Sequence, residues 1–118
     1  MKLTNGELFV AVEPLNRLMG QKFPIKTSLA LSRLVHKLDS ELRVINDVRQ
    51  GLFQKYGTKE PEGLMVKAGN PNKGKFDEEH AELMAQVVEV VFEKVKLPES
   101  VEIEATDAML LEKFIEVA

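Results

Sequence analysis

The residues best spaced for chemistry lie in the second half of the chain, at Gly69-x-x-x-x-Gly74-Lys75 and at Asp77-x-x-His80. The first spacing is that of a phosphate-binding loop, in which backbone amides cradle phosphates, a lysine reaches them and the next Ser or Thr holds magnesium. Here the next residue is Phe76, and Pro71 removes one amide donor. A flexible loop explains the glycines without a nucleotide. Asp77-x-x-His80, with Glu79, is half of a carboxylate–histidine metal set on a helix, and the matching half is missing. An acidic first helical turn explains the same three residues through the helix dipole. His36 and His80 are the two imidazoles of the chain. Glu102/Glu104 and Glu89/Glu93 have the spacing of paired carboxylates, but Glu102 and Glu104 alternate with Val101 and Ile103, as on a solvated strand face. These readings point to no catalytic residue, no metal ligand and no cofactor.

The elements that must position these residues are dominated by one segment. Ser28 to Tyr56 has neither Pro nor Gly other than Gly51, and Gly57 follows it. Its apolar residues fall at Leu31, Leu34/Val35, Leu38, Leu42, Ile45, Val48 and Leu52, the three- and four-residue steps of an amphipathic helix. At about 1.5 Å per residue such a helix is roughly 43 Å long. A compact chain of this size is only about 35 Å across, from a radius of gyration of roughly 13–14 Å. The helix must project or be covered by another chain. Leu31, Val35, Leu38, Leu42, Ile45 and Leu52 are therefore the candidate interface residues. Its outer face carries the i,i+4 pairs Lys37–Glu41, Asp39–Arg43 and Arg43–Asp47, each worth only about 0.2–0.5 kcal/mol.

Around it, Thr4-Asn5-Gly6-Glu7 reads as a capping box that starts a helix running to about Met19. Pro14 falls inside that helix and can bend it. Phe23-Pro24 is an extended connector. Thr27 or Ser28 is the expected cap of the long helix, and Gly57 its left-handed stop. Residues 58–76 are turn-rich, with a short strand over Leu64–Lys67. Asp77 is the expected cap of a third helix. The β-branched run Val87, Val88, Val90, Val91 predicts a change to strand near Val88–Val91. Phe92–Leu97 and Val101–Glu104 both alternate and are expected to pair as a hairpin across Pro98-Glu99-Ser100. Thr106 is expected to cap a last helix, Asp107 to about Phe114. The fold class is α+β in one domain: a helical hairpin over 1–57, a turn-rich loop over 58–76, and a helix, β-hairpin and short helix over 77–118.

The 118 residues are 44% apolar and 30% charged, the composition of one globular domain. The chain has no cysteine, which excludes disulfides and thiolate chemistry. It has no apolar run long enough to span a membrane. The formal charge of −3 is unevenly placed. Residues 1–75 hold 13 Lys+Arg against 7 Asp+Glu, a balance of +6, and residues 76–118 hold 3 against 12, a balance of −9. The two halves can neutralise each other by packing, or the acidic half can face a basic partner. Lys22, Lys26, Arg33 and Lys37 give the long helix a basic start of the kind that binds phosphates. With one Tyr, no Trp and six Phe placed in apolar patterns, the stacking side of nucleic-acid binding is poorly served.

Several segments in order carry a resemblance: Met1–Leu8 (MKLTNGEL), Phe23–Ser28 (FPIKTS), Gln54–Gly57 (QKYG), Phe92–Pro98 (FEKVKLP) and Leu111–Glu116 (LEKFIE). Together they resemble a family of small uncharacterised proteins of tailed bacteriophages and prophages. The resemblance implies a place in the bacterial host cytoplasm or in a virion, and no reaction. The expected function is non-enzymatic: protein–protein interaction in phage assembly or as a virion component, with a second copy (a homodimer) or a phage or host protein as partner. The alternatives are a host-takeover or anti-defence protein that binds a bacterial target, and a nucleic-acid-binding protein that uses the basic helix start.

Overall fold

The computed structural model describes residues 1–61 and 63–117. The chain folds as α+β around a helical hairpin of α1 (Asn5–Met19) and α2 (Ile25–Tyr56). Two shorter helices, α3 (Lys73–Ala85) and α4 (Ala105–Leu110), pack on that hairpin. Six three-residue strands form three two-stranded ribbons. β1 (Lys2–Thr4) pairs antiparallel with β4 (Val87–Glu89), β2 (Thr58–Glu60) antiparallel with β3 (Gly63–Met65), and β5 (Val95–Leu97) parallel with β6 (Ile115–Val117).

The capping box forms as the sequence indicates. The Glu7 amide donates to Thr4 Oγ1 at 3.1 Å, and Glu7 Oε1 accepts from the Thr4 amide at 3.0 Å. Pro14 is accommodated inside α1 and is buried. Lys113 and the capping hydrogen bonds hold the Glu7 carboxyl below its ordinary range.

α2 begins three residues earlier than its sequence signals suggest. Its N-cap is Pro24, with no side-chain cap, so neither Thr27 nor Ser28 caps it; Pro24 O accepts from the amides of both. At 32 residues it is roughly 48 Å long. That matches the 50 Å long axis of the molecule, which measures 50 × 30 × 22 Å with a radius of gyration of 16.9 Å. The helix does not project. The molecule is elongated along it, and the chain's own elements cover one face: α1 and β5 towards its start, α3 towards its end.

Gly57 is extended, with φ −81° and ψ 162°, not left-handed. Glycine is needed there for closeness: a Cβ would stand 2.4 Å from the Phe53 carbonyl oxygen. The chain then turns straight into β2, so the turn-rich segment contains a ribbon as well as a loop. α3 starts at Lys73, not after Asp77, with Asn72 at its N-cap. Asp77 instead accepts from Lys73 Nζ at 2.6 and 2.9 Å.

The switch from helix to strand comes at Gln86, two residues before the expected place. Asn5 fixes it. This buried side chain donates from Nδ2 to Leu83 O at 2.9 Å, closing the end of α3, while its backbone amide donates to Gln86 O at 2.9 Å. Gly6 lets α1 approach α3 closely, because a Cβ there would lie 3.3 Å from Met84 O.

The expected hairpin across Pro98 does not form. β5 takes β6 as its neighbour, and the chain between them, including α4, supplies the crossover that a parallel pair requires. Val101–Glu104 is not a strand. Val101 and Ile103 still pack on the core, which is the origin of the alternation. Gln21 takes the role of a strand neighbour: its Oε1 accepts from the Glu102 amide and its Nε2 donates to the Glu102 carbonyl. α4 starts at Ala105, so Thr106 is inside it rather than at its cap. Asp107 anchors α4 to α1 through a bidentate pair, Arg17 Nη2 to Oδ1 at 2.7 Å and Nε to Oδ2 at 3.0 Å. The Arg17 guanidinium keeps the Asp107 carboxyl below its ordinary range.

Candidate functional site

The candidate interface stripe of α2 is the seat of the chain's own core. Leu31, Leu38 and Ile45 are at most 2% exposed, with Leu34 beside them, and they pack with Leu8, Ala11, Leu15 and Leu18 of α1. Val35 and Leu42 are half-buried against the same core, and Leu52 is half-buried near the end of the helix. Leu31, Leu38 and Ile45 of the stripe are therefore covered from within the chain, while Val35, Leu42 and Leu52 stay partly accessible. Val48, which shares its spacing, stays exposed.

The phosphate-loop spacing does not build a cradle. The loop amides turn inward: Asn72 N donates to Asn70 Oδ1 at 2.8 Å, Lys73 N to Asn70 O at 3.0 Å, and Phe76 N to Asn72 O at 2.9 Å. Gly74 lies within α3. The acidic run Asp77–Glu79, which lies past the first turn of α3, is likewise dispersed. Asp77 faces Lys73, Glu79 faces Lys55 at 3.5 Å, and His80 faces α2. Among the described residues no three His, Asp or Glu side chains converge as a metal group would need.

His80 belongs to a junction of α1, α2 and α3. Arg49 lies over the Phe9 ring at 4.7 Å and the Phe53 ring at 5.8 Å, and its Nε donates to His80 Nε2 at 3.2 Å. Phe76 packs against Phe53 with the ring planes tilted by 48°, and stacks on His80. An acceptor at Nε2 fixes His80 as the neutral tautomer protonated on Nδ1. Burial, and then the charge of Arg49, push its pKa below the ordinary 6.5, while Asp77 opposes them. Arg49 is thus held by ring and imidazole partners within the fold, without an ion pair among the described residues.

A second cluster of cations is not so held. The first half of α2 and the segment from Val91 to Lys96 enclose an open groove of about 730 Å³. Its floor is apolar, made by Ala30, Leu34, Phe92 and Val95. Phe92 is held in place by stacking on buried Phe114 at 5.4 Å. Lys26, Arg33 and Lys37 line one wall, and Lys94 and Lys96 the other, with Glu93 the one acid among the lining residues. Lys37 Nζ donates to Val91 O at 3.1 Å and so ties the two walls together. Among the described residues, Lys26, Arg33, Lys94 and Lys96 take part in no ion pair.

This arrangement works against stability. Arg33 and Lys37 are like charges four residues apart, a spacing that destabilises a helix by about 0.2–0.5 kcal/mol. Lys26 sits in the first turn of α2, at the positive end of the helix dipole, with no acidic residue in that turn to offset it. An anion in the groove relieves both. The local sequence explains how the groove forms: alternation from Val95 to Leu97 buries Val95 and Leu97 and leaves Lys94 and Lys96 outside. Lys26, Arg33 and Lys37 are visible as a basic helix start. Lys94 and Lys96 carry a signal too, the period-two pattern, but nothing in the sequence places them opposite α2.

Comparison of the chain with protein-family models, with curated proteins and with solved structures finds no match in any of the three. The described helices include none long and apolar enough to cross a membrane.

Proposed function

We propose that this is a non-enzymatic, phage-type protein that works by protein–protein interaction, in phage assembly or as a virion component, in the host cytoplasm or the particle. The groove is where it takes a partner segment that is acidic and carries apolar side chains. One observation carries this reading: an apolar floor between two cationic walls, of which Lys26, Arg33, Lys94 and Lys96 take part in no ion pair among the described residues. The half-buried Ala30 and Phe92 in the groove, above the buried Leu34 and Val95, favour a peptide side chain, and the rim favours carboxylates. The phage setting rests on the sequence resemblance alone.

The same cations support a second reading, a single-stranded nucleic acid tracked by the rim. Phe92 is the one aromatic in the groove, and stacking platforms for successive bases are what such binding uses. Titration of a synthetic acidic amphipathic peptide and of a single-stranded oligonucleotide into the full chain separates the two. The expected result is saturable peptide binding that is lost in Lys94→Glu/Lys96→Glu. Binding of the oligonucleotide alone, with a steep loss as salt rises, replaces this reading by the second. No binding of either contradicts both.

A further inference from the structure

The charge imbalance between the two halves is only partly settled by folding. Arg17–Asp107, Lys55–Glu79, Lys73–Asp77, Lys113–Glu7 and the Met1 ammonium with Glu89 join them. Beyond these, two surfaces of opposite sign remain. One is the groove. The other is the surface around α4, where Glu102 and Glu104 just before the helix and Glu112 just after it are exposed and, among the described residues, take part in no ion pair; Glu116 lies instead in β6, opposite Lys96 of the groove. At its centre Met109 is 75% exposed and Leu110 43% exposed. An exposed methionine on a surface helix is a flexible apolar plug of the kind found at adaptable binding surfaces. The groove offers an apolar floor and a basic rim; the α4 surface offers an apolar tip and an acidic surround.

We infer that the occupant of the groove is the α4 surface of a second copy of this chain, so that copies associate head to tail. The inference rests on the reading of the groove as a site for an acidic protein segment, and it names that segment. A chain cannot seat its own α4 there. Arg17 grips Asp107 with two hydrogen bonds, and Leu111, the residue after α4, is fully buried. The contact is therefore between molecules. Because it joins two different surfaces, it leaves a groove open at one end and an α4 free at the other, and such contacts close into rings or extend into filaments. With so small a contact and so much of it charged, association is weak and screened by salt.

Sedimentation equilibrium of the full chain over a range of concentrations tests this. At low salt the average mass rises with concentration above the 13.3 kDa of the single chain, and at high salt it returns to that value. Lys94→Glu/Lys96→Glu, which alters the groove, and Met109→Lys/Glu112→Lys, which alters the plug, each hold the protein at single-chain mass while shifting the melting temperature by no more than ordinary surface substitutions do. Mixed in equal amounts, the two variants form a complex that stops at two chains, since only one intact plug and one intact groove can meet. Single-chain mass at every concentration in low salt overturns the inference, as does assembly that persists in both variants. Failure here with the acidic peptide still binding leaves the groove reading standing; failure of both removes it as well.

Discussion

Two regions of α2 use cations in opposite ways. Near its end, Arg49 is closed over Phe9 and Phe53 and donates to His80, so its charge is spent inside the fold. Near its start, Arg33, Lys26 and the facing Lys94 and Lys96 surround an apolar floor and, among the described residues, take part in no ion pair, although Glu93 lines the same groove and Glu116 stands opposite Lys96. Both regions join α2 to a later part of the chain. In the first the cation lies between aromatic rings at the centre of the junction; in the second only Lys37 bridges, through the Val91 carbonyl. The second is held by Lys37 and the apolar residues beneath, and its remaining cations do nothing for the fold that neutral residues would not do. A cation that contributes nothing to stability and costs a little in repulsion is the mark of a surface made for something outside the chain.

The largest expected effect tests the frame that both regions share. Leu38→Ala removes a side chain 1% exposed at the centre of the α1–α2 packing and is expected to cost about 2–5 kcal/mol, read from denaturant unfolding. A loss well under that range places the hairpin elsewhere. Next comes the junction itself. Arg49→Ala deletes the stacking on two rings and leaves His80 Nε2 without its donor, for an expected cost of about 1–3 kcal/mol.

pH sharpens the contrast. His80 is neutral in the folded chain and its pKa lies below 6.5, so the unfolded chain takes up a proton that the folded one resists. Stability is therefore at its highest above pH 6.5 and falls as pH drops from there towards the lower folded value. This window lies above that of Glu7 and Asp107, whose lowered pKa values withdraw stability only as pH falls through the acidic range below their ordinary 4.5 and 3.8. Arg49→Ala should shrink the upper window and leave the lower one. The smallest effect belongs to the groove: Lys94→Glu/Lys96→Glu should move stability by no more than about 0.5 kcal/mol, the range of ordinary surface changes. A destabilisation on the scale of the Arg49→Ala variant would mean that the groove cations are structural after all.

How far the sequence discloses this depends on the range of the interaction. The capping box, the helical period of α2 and the alternation at Val95–Leu97 are local, and each is legible. The covering of Leu31, Leu38 and Ile45 by α1 is not, because the stripe reads the same whether its partner is the same chain or another. The false hairpin has a similar source. Val101 and Ile103 alternate because one side packs on the core, but a side-chain amide from Gln21, 81 residues away from Glu102 in number, satisfies the backbone that a strand would have paired. Asn5 likewise ends α3 from across the fold. The candidate site divides in the same way: the cations of α2 announce themselves, and the opposing Lys94 and Lys96 join them only through tertiary structure.

The most direct test of the contrast within α2 is a backbone-amide NMR titration of the full chain with the acidic amphipathic peptide. The expected result is a set of shifts confined to residues 26–37 and 91–96, with the amides of Arg49, Phe53, Phe76 and His80 unmoved. Shifts centred on the junction, or spread without regard to the groove, would contradict it.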